Sequence, residues 1–459
     1  MALSTVSAEQ SVQALEKQKA VALSAHKRRG QKPTSRCTRS QLEQWYVPGR
    51  GPQPGNGSQY VMMQTVIGFA YPPSTKTLAE LEPIALSQLL LETHHRGKVL
   101  IVRVFGHALR AQAAQVGIED HNGIVERLSL YNTDPAQPPQ ELLPSGAVFA
   151  IKEPYYKLTT DGGTCVRVDH PSNMLRLSPT DALLPIKFRS LQSSSKPSAA
   201  SLKASGNEAF MKQDWTAAAQ HYSHAISACG EDDEATRHDA LRNRAMANIH
   251  LKCWEQAVAD ANEAIVPSGD ASRLNSKAYY RAGCASYHLR DYTAARASFE
   301  AARKLKANDV DTERKYKRTI SRILEQQTGK YDLLRMSETG SGKIGRLDHA
   351  SYSAKVEVKD SVGRGKGLFA KQKMKAGELI MVEKAYCAAF DDDEGYSMSL
   401  TLDLNTNTVA TGPHAALLTQ LVQHSICNPV QGAEFLSLHD SGYEPKSGAL
   451  VDNGVAIDV

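Results

Sequence analysis

Ala204-Ser-Gly-Asn-Glu-Ala-Phe-Met-Lys-Gln-Asp-Trp215 decides the fold of the middle of this 459-residue chain, because the pattern it opens returns twice further on. Gly206, Ala218, Tyr222 and Ala225 recur as Ala245, Ala257, Ala261 and Ala264, and again as Gly283, Ala295, Phe299 and Ala302. Small residues at these spacings let two antiparallel helices pack closely, while the aromatics fill the gap to the next repeat. The pattern predicts three stacked helical hairpins. Val310 to Gln327, with a polar face, reads as the helix that closes the array. The extra residues between the first two copies, including Glu231-Asp-Asp-Glu234, lengthen one loop.

Five side chains on the first helices of these hairpins carry the functional reading: Lys203, Asn207, Asn243, Lys277 and Arg281. Lys203 and Asn207 stand four apart, as do Lys277 and Arg281, so each pair shares a helical face. If the three helices line one groove, three cations and two amides converge there, and the sequence reading places no carboxylate among them. Lys, Arg and Asn all donate hydrogen bonds, and charge assistance strengthens those bonds to carboxylates. A peptide-binding module is expected.

The repeats resemble tetratricopeptide repeats, and the five residues match those tetratricopeptide domains that hold the acidic C-terminal tails of cytosolic chaperones. Lys203 and Asn207 fit the family's Lys-x-x-x-Asn, Asn243-Arg244-Ala245 its Asn-Arg-Ala, and Lys277 with Arg281 its Lys-x-x-x-Arg. The resemblance implies that these residues grip the terminal carboxylate and the Asp side chain of a Glu-Glu-Val-Asp tail. The implied partners are proteins with acidic C-terminal tails, heat-shock chaperones among them. Ordinary solvated Lys and Arg on helix faces are the competing reading.

Outward toward the N-terminus, residues 1–60 are locally basic (Lys27, Arg28, Arg29, Lys32, Arg36, Arg39) and end in a Pro/Gly-rich stretch from Val47 to Ser58. That composition predicts a disordered tail with a short helix at most, then a flexible linker. Residues 61–190 turn to strands: Lys98 to Phe105, Gln115 to Glu119, Ile124 to Tyr131, Ala147 to Lys152, Tyr155 to Leu158 and Thr164 to Val168. Asp120-His-Asn-Gly123 is a hairpin signal. Five or six short strands predict a small barrel or curled sheet of the OB-like kind. Tyr155, Tyr156, Lys152 and Arg167 are candidates for an aromatic and basic ligand surface, although such residues in small barrels mostly just pack. A Ser-rich linker (191–198) leads to the array (199–330).

The hydrophobic fraction of 41%, the charged fraction of 22% and a net charge of +5 are those of an ordinary globular chain and do not argue for nucleic acid. No apolar run approaches the ~20 residues of a membrane span, and no signal pattern opens the chain. Seven cysteines without CxxC pairs argue for a reducing compartment and against a disulfide framework or a metal site. A cytoplasmic or nuclear location and no membrane partner are expected.

After a linker (331–352), Asp360-Ser-Val-Gly-Arg-Gly-Lys-Gly367-Leu-Phe-Ala370 and Met374-Lys-Ala-Gly-Glu-Leu-Ile-Met-Val-Glu383 resemble the opening of a SET domain, the fold of S-adenosylmethionine-dependent protein lysine methyltransferases. The resemblance implies a cofactor turn at Gly363, Arg364, Gly365, Lys366 and Gly367, glycine being needed where backbone approaches the methyl donor. The family's Asn-His-x-Cys-x-Pro-Asn segment and later Tyr are not found, and no Asn-His dipeptide occurs in the chain. No catalytic residue is therefore assigned, and S-adenosylmethionine is expected only if the domain is completed. Thr411 to Gln423 reads as an amphipathic helix ended by Asn428-Pro429, inside a variable insert. The chain is expected to be either a fragment or truncated gene model, or a protein that kept the front of the domain (353–459) without its chemistry.

The predicted whole is a multidomain α+β chain: a small antiparallel β-barrel-like domain, an all-α tetratricopeptide array, and a partial β-rich SET domain. This combination resembles fungal SET-tetratricopeptide proteins without a zinc-binding insert. Two functions follow as expectations, an interaction protein that binds acidic tails and, as the alternative, part of a lysine methyltransferase.

Overall fold

The computed structural model describes residues 8–45, 63–68, 71–110, 113–133, 137–159, 161–178, 181–189, 197–230, 233–266, 272–340, 347–390, 399–438, 450–451 and 454–455. The chain divides into two compact units, Met1–Ser195 with Cys387–Val459, and Lys196–Tyr386. The Pro/Gly-rich stretch at 47–58, most of the Ser-rich linker and residues 341–343 of the later Gly/Ser linker lie outside the described residues.

The first unit opens with helices α1 (Ala8–His26) and α2 (Arg39–Trp45) and strand β1 (Met63–Ile67). A nine-stranded sheet follows, built from β2 (Glu82–Ile84), β3 (Thr93–His94), β4 (Lys98–Arg110), β5 (Ala114–Glu119), β6 (Val125–Leu130), β7 (Val148–Lys152), β8 (Tyr155–Leu158), β9 (Thr164–Val168) and β10 (Met174–Leu177), with the one-turn α3 (Pro139–Leu142) between β6 and β7. The strand order is β10-β7-β4-β5-β6-β9-β8-β3, with β2 alongside β4. The sheet is a curled half barrel. Two of its pairings, β6 with β9 and β2 with β4, are parallel, where the sequence predicts antiparallel strands.

The apolar run of β4 reflects burial on both faces. Leu100, Val102 and Val104 join the main core, while Val99 and Ile101 pack in a second cluster on the other side. Gly106, at φ 75, lies where the register of β4 against β5 shifts, so the long strand bends there. The predicted β5–β6 hairpin forms, with Asp120 Oδ1 accepting from the backbone N–H groups of Asn122 and Ile124 at 3.0 Å each.

The N-terminal stretch predicted to be a disordered tail holds structure over 8–45. Leu42 of α2 is buried against Phe105, and Leu15 of α1 is buried with Leu402. Arg36 donates to the Leu86 carbonyl at 2.8 Å, and Arg39 pairs with Glu119. The apolar positions among the basic ones supply the anchor that composition alone hides.

The second unit contains α4 (Ala199–Met211), α5 (Trp215–Ala228), α6 (Glu234–His250), α7 (Trp254–Glu263), α8 (Ser272–His288), α9 (Tyr292–Leu305) and α10 (Val310–Thr328). These are the three predicted hairpins and their closing helix, which ends at Gly329 in the left-handed conformation. Helix α11 (Leu333–Gly340) lies in a stretch predicted to be linker, and nearby Ala350 is buried against the last repeat. Strands β11 (Val356–Ser361) and β12 (Gly365–Ala370) form the predicted hairpin.

The segment assigned to one C-terminal domain, 353–459, divides between the units. Strand β13 (Ser399–Asp403) pairs antiparallel with β14 (Thr408–Thr411) and parallel with β1, and α12 (Gly412–Cys427) and α13 (Pro429–Leu436) follow in the same unit. The ladder to β1 and the burial of Leu402 draw it there. Asn428-Pro429 ends α12, as the sequence predicts.

Candidate peptide-binding groove

The hairpins close because each first helix fits its second. A Cβ on Gly206 would stand 2.5 Å from the Tyr222 ring, and one on Gly283 would stand 2.7 Å from the Phe299 ring. The middle repeat uses Ala245 and Ala261, both fully buried, in the same places. Asp214 and Asp291 cap the second helices of the outer hairpins, accepting from Ala217 N and Ala294 N at 2.9 Å. Packing and caps together fix α4, α6 and α8 side by side.

Three of the five predicted residues come together across those helices. Asn207 Oδ1 accepts from the Tyr222 hydroxyl at 2.8 Å and from Asn243 Nδ2 at 3.1 Å. Arg281 donates to the backbone carbonyl of Arg242, which ties α8 to α6. Burial, with the Arg242 charge adding to it, lowers the Arg281 guanidinium to about 10. Burial likewise pushes the Tyr222 phenol up to about 12, against the opposing pull of the Arg281 charge. Lys277, one turn before Arg281, is exposed, and among the described residues it has no ion-pair partner.

Lys203 is placed differently. Its Nζ lies 2.9 Å from Asp239 Oδ2, and Asp239 Oδ1 takes a second bond from Arg242 Nη2 at 2.5 Å. The predicted groove without a carboxylate is therefore corrected: Asp239 lies four residues before Asn243, on the same face of α6. Burial opposes charge on Asp239, yet the hydrogen bonds from Lys203 and Arg242 outweigh it and hold the carboxyl below the usual carboxylate range. The spacing that linked Lys203 with Asn207 was sufficient to find Asp239 as well. Arg244 of the Asn-Arg-Ala match turns away from this face and clasps Asp260 at 2.6 and 2.9 Å, with Asn248 and Gln256 bonded to the same carboxylate.

The aromatic and basic residues of the β sheet form no ligand surface. Tyr155 bonds Glu92 at 2.9 Å, Tyr156 bonds Glu126 at 2.5 Å, Lys152 bonds the Lys76 carbonyl at 3.0 Å, and Arg167 bonds Asp169 at 2.7 Å, all four buried. Each polar tip is satisfied internally, which is how such groups are tolerated in a core.

The turn predicted to approach a methyl donor does not fit one as it stands. Gly363, Arg364, Gly365 and Lys366 are exposed, Gly367 is half-buried, and a Cβ on Gly363 or Gly365 would meet nothing within 4 Å. Those two glycines serve the turn itself, with φ of 72 each. Among the described residues no group of three His, Cys, Asp or Glu side chains is placed to hold a metal ion, and no helix is long and apolar enough to cross a membrane.

No family model matches the chain. A methyltransferase of Gibberella zeae is 31% identical over 397 residues, 86% of this chain and 54% of that protein, so the chain spans about half the length of this relative. A Protein SGT1 homolog of Oryza sativa subsp. japonica is 33% identical over 128 residues, 28% of this chain and 32% of that protein. The second TPR domain of human RPAP3, solved in complex with the HSP70 peptide SGPTIEEVD, aligns at 28% identity and a TM-score of 0.24, covering 27% of this chain and 94% of the domain. Over most of its length, then, the chain is similar to a fungal methyltransferase, and its middle is an array of three helical hairpins with a closing helix.

Proposed function

We propose that the groove of α4, α6 and α8 binds acidic C-terminal peptides of the chaperone-tail kind. The observation that carries this is the meeting of Asn207, Asn243 and Arg281 beside the exposed Lys277, which has no ion-pair partner among the described residues. Two amides and two cations on neighbouring helices supply the donors a terminal carboxylate and an Asp side chain require, and among the described residues none of the four is spent on a carboxylate of the chain. Hydrogen bonds to charged groups contribute about 1.5–3 kcal/mol each, enough to separate a free-acid tail from its amide. Titration with a Glu-Glu-Val-Asp peptide, free acid and amide, tests it. Saturable binding that weakens with salt is expected for the acid form.

Similarity to the Gibberella methyltransferase favours a second reading, methyl transfer with the array presenting substrates. The open turn at 363–367 supports no step of that chemistry in this chain.

A further inference from the structure

Asp239 lies between two cations on the helices that line the groove. It touches two cations, Lys203 at 2.9 Å and Arg242 at 2.5 Å, and lies one helical turn from Asn243, whose amide bonds Asn207. It is not locked in place: its side chain is 39% exposed, while that of Arg242 is 4% exposed and holds a second bond to the Ala264 carbonyl at 3.0 Å. The Arg242 fork is thus anchored without Asp239, and Lys203, whose side chain is 24% exposed, is the donor of the two that an incoming carboxylate reaches from solvent.

We infer that Asp239 is the specificity-determining residue of the groove, an internal carboxylate that competes with an acidic tail for Lys203. This inference rests on the peptide-binding reading. With Lys203 engaged, a tail meets Lys277, Arg281 and the two amides first, and gains the third cation only by displacing Asp239. The groove therefore favours tails whose negative charge is dense enough to outbid one carboxylate already in place, and it discriminates against tails that carry only a terminal carboxylate.

The test is fluorescence anisotropy with a labelled Glu-Glu-Val-Asp free-acid peptide against the whole chain as wild type, Asp239→Asn, Lys203→Ala and the double variant, with melting temperatures alongside. Asparagine keeps the shape and the acceptor oxygen but removes the charge. Asp239→Asn is expected to tighten binding about two- to five-fold, and to lose that gain when Lys203 is alanine. A merely structural Asp239 would change both backgrounds alike. If Asp239→Asn melts early, Asp239→Ser in the same cycle replaces it. Wild-type binding that is unchanged or weakened by the charge removal overturns the competitor while leaving the groove. Absence of binding in wild type and Asp239→Asn alike overturns the groove itself.

Discussion

Lys277 and Arg281 share a helical face but not a structural role. Arg281 is largely buried and holds the Arg242 carbonyl, so its removal disturbs both ligand and fold. Lys277 is exposed and unpaired among the described residues, which makes Lys277→Ala the cleaner variant. It is expected to weaken the acidic peptide roughly ten-fold or more, the worth of one charge-assisted hydrogen bond, with an unchanged melting temperature. Arg281→Ala is expected to weaken the peptide as much and also lower the melting temperature. In the first unit, His94 stacks on Tyr155 with ring centroids 4.0 Å apart, and its buried Nδ1 has no hydrogen-bond partner among the described residues. Burial, then the Arg96 charge, lowers this imidazole from 6.5 to about 3. Since the fold prefers the neutral ring, its stabilisation is complete above pH 6.5 and is lost as pH falls towards about 3. Each unit of depression corresponds to about 1.4 kcal/mol. His94→Phe, which keeps the stack without the proton, is expected to flatten the acid limb of the unfolding midpoint against pH; an identical limb would remove His94 from the account.

Hairpin packing at the element scale was legible in the sequence because Gly206 with Tyr222 and Gly283 with Phe299 are a local code of small against large. Gly283→Ala drives a methyl into the Phe299 ring, since its Cβ would stand 2.7 Å from that ring. Overpacking of this kind costs about 1–3 kcal/mol, and thermal unfolding of the array should show it as a lower midpoint. What the sequence concealed here is the stacking of Trp215 on His250 at 4.0 Å and of Trp254 on His288 at 4.1 Å. Each His ends the first helix of the following repeat, so the pair is joined by packing rather than by any spacing within a helix. Asp239 was legible by its four-residue step to Asn243. Its engagement with Lys203 depends on how close α6 comes to α4, which no pattern within either helix states.

For the whole molecule, the parallel pairing of β1 with β13 joins residues from opposite ends of the chain, and nothing local in either strand names its partner. The same holds for the helices of 8–45, where Leu15 and Leu42 pack against Leu402 and Phe105, residues far away in sequence. The β11–β12 hairpin was legible as a hairpin, yet Val358, Val362, Leu368 and Phe369 remain exposed on it. S-adenosylmethionine is accordingly expected to bind this chain weakly or not at all in calorimetric titration, with no methyl transfer, and turnover above background would contradict that.

The most direct measurement is the affinity of the whole chain for one Glu-Glu-Val-Asp peptide in two forms, ending in a free carboxylate or in an amide. The account predicts saturable binding of the acid and at least a roughly ten-fold weaker amide, the loss of about one charged hydrogen bond. Equal affinities for the two forms would contradict it.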